Sequence, residues 1–111
     1  STLMHGSYHG AISIKQGIYL PLVKSIRLLA IGEKIDATST LDRIDALVEH
    51  GFWKKEKGEF WANLFFKIFT FRHSCPTRFH ISDGERLPYS KLPFNEQKEV
   101  REMLRSLLHL K

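Results

Sequence analysis

The most apolar stretch of the chain runs from Phe60 to Phe71, where eight of twelve residues are Phe, Trp, Leu or Ile. Alternate residues of a strand face opposite sides, and the even-numbered positions from Phe60 to Ile68 are all apolar. A helix here would be apolar nearly all round, which suits a buried or membrane helix. The pattern favours a hairpin over residues 52 to 71 turning at Lys57-Gly58, with a helix as the open alternative. We expect Phe66→Ala or Leu64→Ala to destabilise the fold.

Three other stretches carry apolar residues at helical spacing, which predicts helices over 21 to 31, 39 to 50 and 95 to 110. Pro21 suits a first helical position. The second helix follows several Ser and Thr caps and ends before Gly51, a residue typical of the position after a helix. Asn95 is the expected cap of the third.

Short strands are predicted at 11 to 15, where apolar and polar residues alternate, and at 78 to 82, before the Asp83-Gly84 turn. The first is expected to pair with the edge of the central sheet. Together these elements predict an α+β fold, a small antiparallel sheet built on a long aromatic hairpin with about three helices. At 111 residues, the chain is expected to form one domain over 1 to 111.

The composition narrows the choice of compartment and partner. A single cysteine rules out an internal disulfide, and neither a secretory leader nor a membrane-spanning segment is apparent. We therefore expect a soluble, cytoplasmic protein without membrane attachment. The net charge is +5 with a pI near 9.5, and residues 61 to 82 contain no acid. A basic surface next to the hairpin would attract phosphate.

The helix Leu41 to His50, followed by Gly51-Phe52-Trp53-Lys54-Lys55-Glu56-Lys57-Gly58-Glu59-Phe60-Trp61, resembles a winged helix-turn-helix domain. The resemblance covers about half of the chain and implies a DNA-binding regulatory protein whose basic wing contacts phosphates. Because Leu41 to His50 is acidic, the wing and the basic face of the first helix would carry the contact. The predicted nucleic-acid-binding residues are Lys54, Lys55, Lys57, Lys24, Arg27, Lys67, Arg72 and Arg78.

A protein-interaction module or inhibitor is the second hypothesis, because two amphipathic helices and an aromatic hairpin could leave an apolar patch exposed. Its candidate interface comprises Trp61, Phe65, Phe69, Leu104, Leu107 and Leu108. The same three aromatic residues could instead stack on bases of single-stranded nucleic acid. The C-terminal helix could also form a homodimer.

A small ribonuclease toxin is the third hypothesis, with Arg72, His73, Arg78 and His80 as acid, base and phosphate clamp. The cysteine, Cys75, has no nucleophile motif around it and is expected to be a small buried residue. His5, His9 and the later histidines lack the spacing of a metal site. We predict a non-enzymatic protein with no cofactor, no metal and no catalytic residues.

Overall fold

The computed structural model describes residues 10–110, and this part of the chain is mostly helical. It contains four α-helices and a two-stranded sheet, so the predicted α+β class with about three helices is wrong. The elements in chain order are β1 (Ala11–Ile12), a π-helical segment (Lys15–Tyr19), α1 (Leu20–Gly32), α2 (Thr40–Glu49), α3 (Lys55–Phe79), β2 (Leu87–Pro88), a 3-10 turn (Tyr89–Lys91) and α4 (Phe94–Leu107).

The 25-residue helix α3 replaces the predicted hairpin. Its buried residues Trp61, Ile68 and Cys75 recur every seven positions, which is two helical turns, so they lie on one side of the helix. The alternation from Phe60 to Ile68 is misleading because Phe60 is 51% exposed and Phe66 is 63% exposed. The strand predicted at 78 to 82 is also wrong, since α3 extends to Phe79.

The other three predicted helices are present. Ser39 caps α2 by accepting a hydrogen bond from the backbone N–H of Asp42 at 3.1 Å, and Gly51 follows with φ of 77°. Helix α1 begins earlier than predicted, because the π segment runs directly into it. Asn95 does not cap α4, since Pro93 takes that position.

The small sheet joins the beginning of the described chain to the segment before α4. Ile12 pairs with Leu87 and Ala11 with Pro88, antiparallel. The predicted strand at 11 to 15 is therefore two residues long and has a different partner from the one expected. Ile12 and Leu87 are both buried, so this pairing closes one side of the core.

The core is one contiguous cluster of buried residues from all four α-helices, the π-helical segment and both strands, with α2 and α4 on different sides of α3. On one side α2 approaches α3 closely at Gly58, where a side-chain carbon would overlap Val48. On the other side α4 is anchored by Val100 and Met103, which are 0% and 3% exposed. Among residues 10–110, no helix combines the length and the apolar character needed to cross a bilayer.

Candidate functional site

A groove runs between α3 and α4, and these helices form its two walls. Phe60 and Ser106 line one end, and Arg78 and Glu96 line the other. The two helices are therefore antiparallel along the groove. We call this surface, from Phe60 and Ser106 to Arg78 and Glu96, the α3–α4 groove.

The wall on α3 follows from helical spacing. Residues three or four positions apart lie on one face of a helix. The residues of this face are Phe60, Leu64, Lys67, Phe71, Ser74 and Arg78, with Thr70 at the margin. Because Trp61 and Ile68 are buried in the core, this neighbouring face is turned toward α4. Leu64 and Phe71 are partly buried against the core, whereas Phe60 is 51% exposed at one end of the groove.

The wall on α4 carries a row of carboxylates. Glu96, Glu99 and Glu102 are three residues apart and so share one face of the helix. Met103 is buried at the base of both halves of the groove. The groove therefore combines apolar side chains with carboxylates on its α4 wall.

The charges of the groove are only partly paired. At one end Arg78 Nη2 donates a hydrogen bond to Glu96 Oε1 at 2.8 Å, and this bond raises the pKa of the Arg78 guanidinium. Between residues 10 and 110, Lys67, Glu99 and Glu102 make no ion pair within 4.0 Å. With two cations against three carboxylates, the groove is slightly acidic on a protein whose net charge is +5.

Two hydroxyl groups on the α3 wall present acceptors to the groove. Thr70 Oγ1 donates to the carbonyls of Phe66 and Lys67, both at 3.0 Å. Ser74 Oγ donates to the carbonyl of Phe71 at 2.8 Å. Each hydroxyl has one proton, so bonding to the backbone leaves only oxygen lone pairs for a ligand. These groups and the carboxylates make the groove rich in hydrogen-bond acceptors.

A second cleft lies between α2 and α3, but it fits a ligand less well. Helices α2 and α3 approach each other at its floor, where Gly58 faces Val48. Its polar lining is three carboxylates and Lys55, with no hydroxyl group. The α3–α4 groove offers charges of both signs and hydroxyls together, and it is the better candidate site.

The predicted nucleic-acid-binding residues lie on separate elements. Lys54, Lys55 and Lys57 stand at the start of α3 and not on a wing, and Lys57 Nζ lies 5.4 Å from the ring centre of Trp53. Lys24 and Arg27 flank the exposed Leu28 and Ile31 on α1. Lys67 and Arg78 line the groove. Arg72 is bound to Asp83 at 2.7 Å, and its hydrogen bonds lower the pKa of that carboxyl.

The predicted protein interface is dispersed as well. Trp61 is 2% exposed and stacks on Trp53 with ring centres 6.4 Å apart, so it belongs to the core and not to a surface. Phe65 and Phe69 pack against Tyr19 at 5.9 and 6.4 Å. On α4 and just after it, Leu104 and Leu107 are partly buried against the core, whereas Leu108 is 71% exposed. The proposed dimer through this helix stays a prediction.

The residues of the toxin hypothesis make separate contacts, Arg72 with Asp83 and Arg78 with Glu96. His73 packs edge-on against Phe69 with ring centres 4.4 Å apart, and His80 ends α3 with φ of 55°. Cys75 is buried as expected, and burial raises the pKa of its thiol. His5 and His9 lie outside the described residues.

Sequence reasoning missed the carboxylates of the groove. Glu96, Glu99 and Glu102 stand in the sequence at intervals of three, which is a signal of a shared face. Glu96 and Glu99 stand near the start of a predicted helix, where negative charge is favourable whether or not it belongs to a site. Their location opposite Lys67 depends on α3 being a helix, which the sequence pattern does not favour.

The structure shows a helical domain with a groove between α3 and α4, and comparison with known families narrows this class. Residues 1–111 match the family model described as "Putative nucleotidyltransferase substrate binding domain", and the chain belongs to this family. No curated protein and no solved structure matches the chain.

Family membership corrects the functional hypotheses drawn from the sequence. The resemblance to a winged helix-turn-helix domain is wrong, and so is the regulatory DNA-binding function that it implied. The helix-to-wing step on which it relied is instead the loop from α2 into the long α3. The family gives no support to an inhibitor or to a ribonuclease toxin.

Proposed function

We propose that this domain binds the acceptor substrate of a nucleotidyltransferase, and that the α3–α4 groove is the binding site. The observation that supports this proposal is a groove, in a chain of this family, that combines apolar side chains, charges of both signs and hydroxyl groups. Pockets that combine apolar walls with a few placed polar groups are typical of small-molecule sites.

The charge of the groove favours the acceptor over the nucleotide donor. A nucleotidyltransferase transfers the nucleoside monophosphate group of a nucleoside triphosphate to an acceptor and releases pyrophosphate, and the triphosphate is strongly anionic. Three carboxylates against two cations would repel such a ligand, because like charges raise the free energy of binding. An acceptor bearing hydroxyl groups carries no such penalty. Holding it in a fixed orientation is how this domain would assist transfer.

The test is a backbone-amide NMR titration of this chain with a panel of small acceptors and nucleotides. The acceptors are neutral, cationic and anionic polyols, and the nucleotides are ATP and UTP. We expect at least one acceptor to shift the amides of residues 60 to 78 and 96 to 106, and neither nucleotide to do so.

A matched pair of variants locates the effect. Thr70→Trp should fill the groove and weaken acceptor binding by about tenfold, a loss of about 1.4 kcal/mol. Thr77→Trp is the control, since Thr77 is another exposed threonine of α3 and does not line the groove. Acceptor shifts confined to the α2–α3 cleft, or equal affinities of both variants, would contradict this location. A panel that shifts no amide would contradict the function itself.

A further inference from the structure

The outward face of α1 combines exposed apolar side chains with positive charge. Leu28 is 69% exposed and Ile31 is 57% exposed. Lys24 and Arg27 border the same shallow depression as these two side chains. The sequence of α1 contains no acidic residue, so nothing within the helix balances this charge. A face of this kind fits a partner surface that is both apolar and acidic.

The outward face of α2 has the complementary character. Asp42, Asp45 and Glu49 are exposed, and they share one face of the helix because they lie three or four residues apart. Leu41 is 44% exposed and lies one helical turn before Asp45. Lys55 lines the neighbouring α2–α3 cleft, but the three carboxylates outnumber it. The exposed surface of α2 is therefore acidic, on a protein whose net charge is +5.

Within residues 10–110 these charges are unpaired. Lys24, Arg27 and the three carboxylates of α2 form no ion pair within 4.0 Å in this part of the chain. Helices α1 and α2 pack against each other, so the basic face and the acidic face lie on neighbouring elements of one molecule. A two-fold axis can therefore bring α1 of each copy onto α2 of the other, because a closed dimer makes every contact twice.

We propose that two copies of this chain form a two-fold dimer in which the basic face of α1 docks on the acidic face of the partner's α2. Leu28 and Ile31 would then be removed from water. Exposed ion pairs each contribute little, so the charges would select which surfaces meet, while the apolar contact would supply most of the affinity. The described residues that line the α3–α4 groove belong to α3 and α4, so this dimer leaves the groove open and does not depend on the proposed function.

Sedimentation velocity over a range of protein concentrations measures this association. At low salt we expect a monomer–dimer equilibrium. In about 1 M sodium chloride the screening length falls to about 3 Å, and the dissociation constant should rise about tenfold or more. A chain that stays monomeric at low salt up to about 1 mM, a concentration at which even weak specific dimers are populated, would overturn the proposal.

Charge reversal tests the two faces separately. Lys24→Glu with Arg27→Glu makes both faces acidic, and Asp45→Lys with Glu49→Lys makes both faces basic. Each variant alone should be monomeric, because like charges then face each other in both contacts. Mixed in equal amounts, the two variants should form a heterodimer, since every acidic face then meets a basic one.

The control is Lys91→Glu with Lys98→Glu, which changes the net charge by the same amount at exposed lysines outside α1 and α2. It should associate as the wild type does. Circular dichroism checks that each variant is folded, and association of the mixture shows that neither loss comes from misfolding. If the folded variants stay monomeric when mixed, or if either alone associates as tightly as the wild type, these faces are not the interface. Loss of association in the control would place the interface on α4 instead.

Discussion

At the scale of single residues, the apolar run Phe60 to Phe71 of α3 contains both buried and exposed side chains, although all of them are similarly apolar. Ile68 is 0% exposed, whereas Phe66, two positions away, is 63% exposed. The expectation that Phe66 belongs to the core is therefore wrong. Leu64 is partly buried against the core and also lines the groove, so it contributes to both.

This contrast gives a stability prediction at the residue scale. Ile68→Ala should lower the free energy of unfolding by about 2–5 kcal/mol, because it removes buried methyl groups and leaves a cavity. Phe66→Ala should change it by about 0.5 kcal/mol or less, as is usual for exposed positions. Urea unfolding followed by circular dichroism measures both. A large loss for Phe66→Ala would place that ring in the core after all.

At the scale of elements, the sequence identified α1, α2 and α4 and failed on α3. Amphipathic helices can be recognised from the sequence because their polar residues recur on the side that faces solvent. In α3 the rings of Phe60 and Phe66 are exposed on either side of a buried stripe, so apolar residues no longer mark one face. Strand alternation then fits the run equally well. The groove lies between α3 and α4, so its position could not be predicted from a sequence pattern that favours a hairpin in place of α3.

The contact of α2 with α3 gives a prediction at this scale. Gly58→Ala gains about 1 kcal/mol of helix propensity, but its methyl group would overlap Val48, a stiff branched side chain. We expect a net destabilisation of about 1–3 kcal/mol, typical of overpacking. Gly32→Ala is the matched control, since nothing lies within 4 Å of the position that its methyl group would take, and the helix gain should be realised.

A double-mutant cycle isolates the steric term. In a Val48→Ala background the overlap is absent, so Gly58→Ala should become neutral or stabilising, and the coupling should fall within about 0.5–3 kcal/mol. If urea unfolding gave the same loss of stability for Gly58→Ala in both backgrounds, that loss would not come from overlap with Val48.

At the scale of the whole molecule, one cluster of buried residues connects both ends of α3. Trp53 and Trp61 stack near the start of the helix, and Cys75 is buried near its end. From Trp61 to Cys75 the helix rises about 21 Å at about 1.5 Å per residue. The single domain expected from chain length remains a prediction, and the two ends supply separate probes for testing it.

The last prediction is that these probes report one cooperative transition. Trp53 and Trp61 can be followed by fluorescence, while Cys75, the only cysteine, reports unfolding through labelling by a chromogenic disulfide. Burial raises the pKa of the Cys75 thiol and shields it, so native protein should react slowly. Along a urea series the two probes should give the same midpoint, as expected for a small two-state domain. If Cys75 became reactive at a lower urea concentration than the tryptophan transition, the end of α3 that carries Arg78 would open separately. The groove would then lose one wall before the fold is lost.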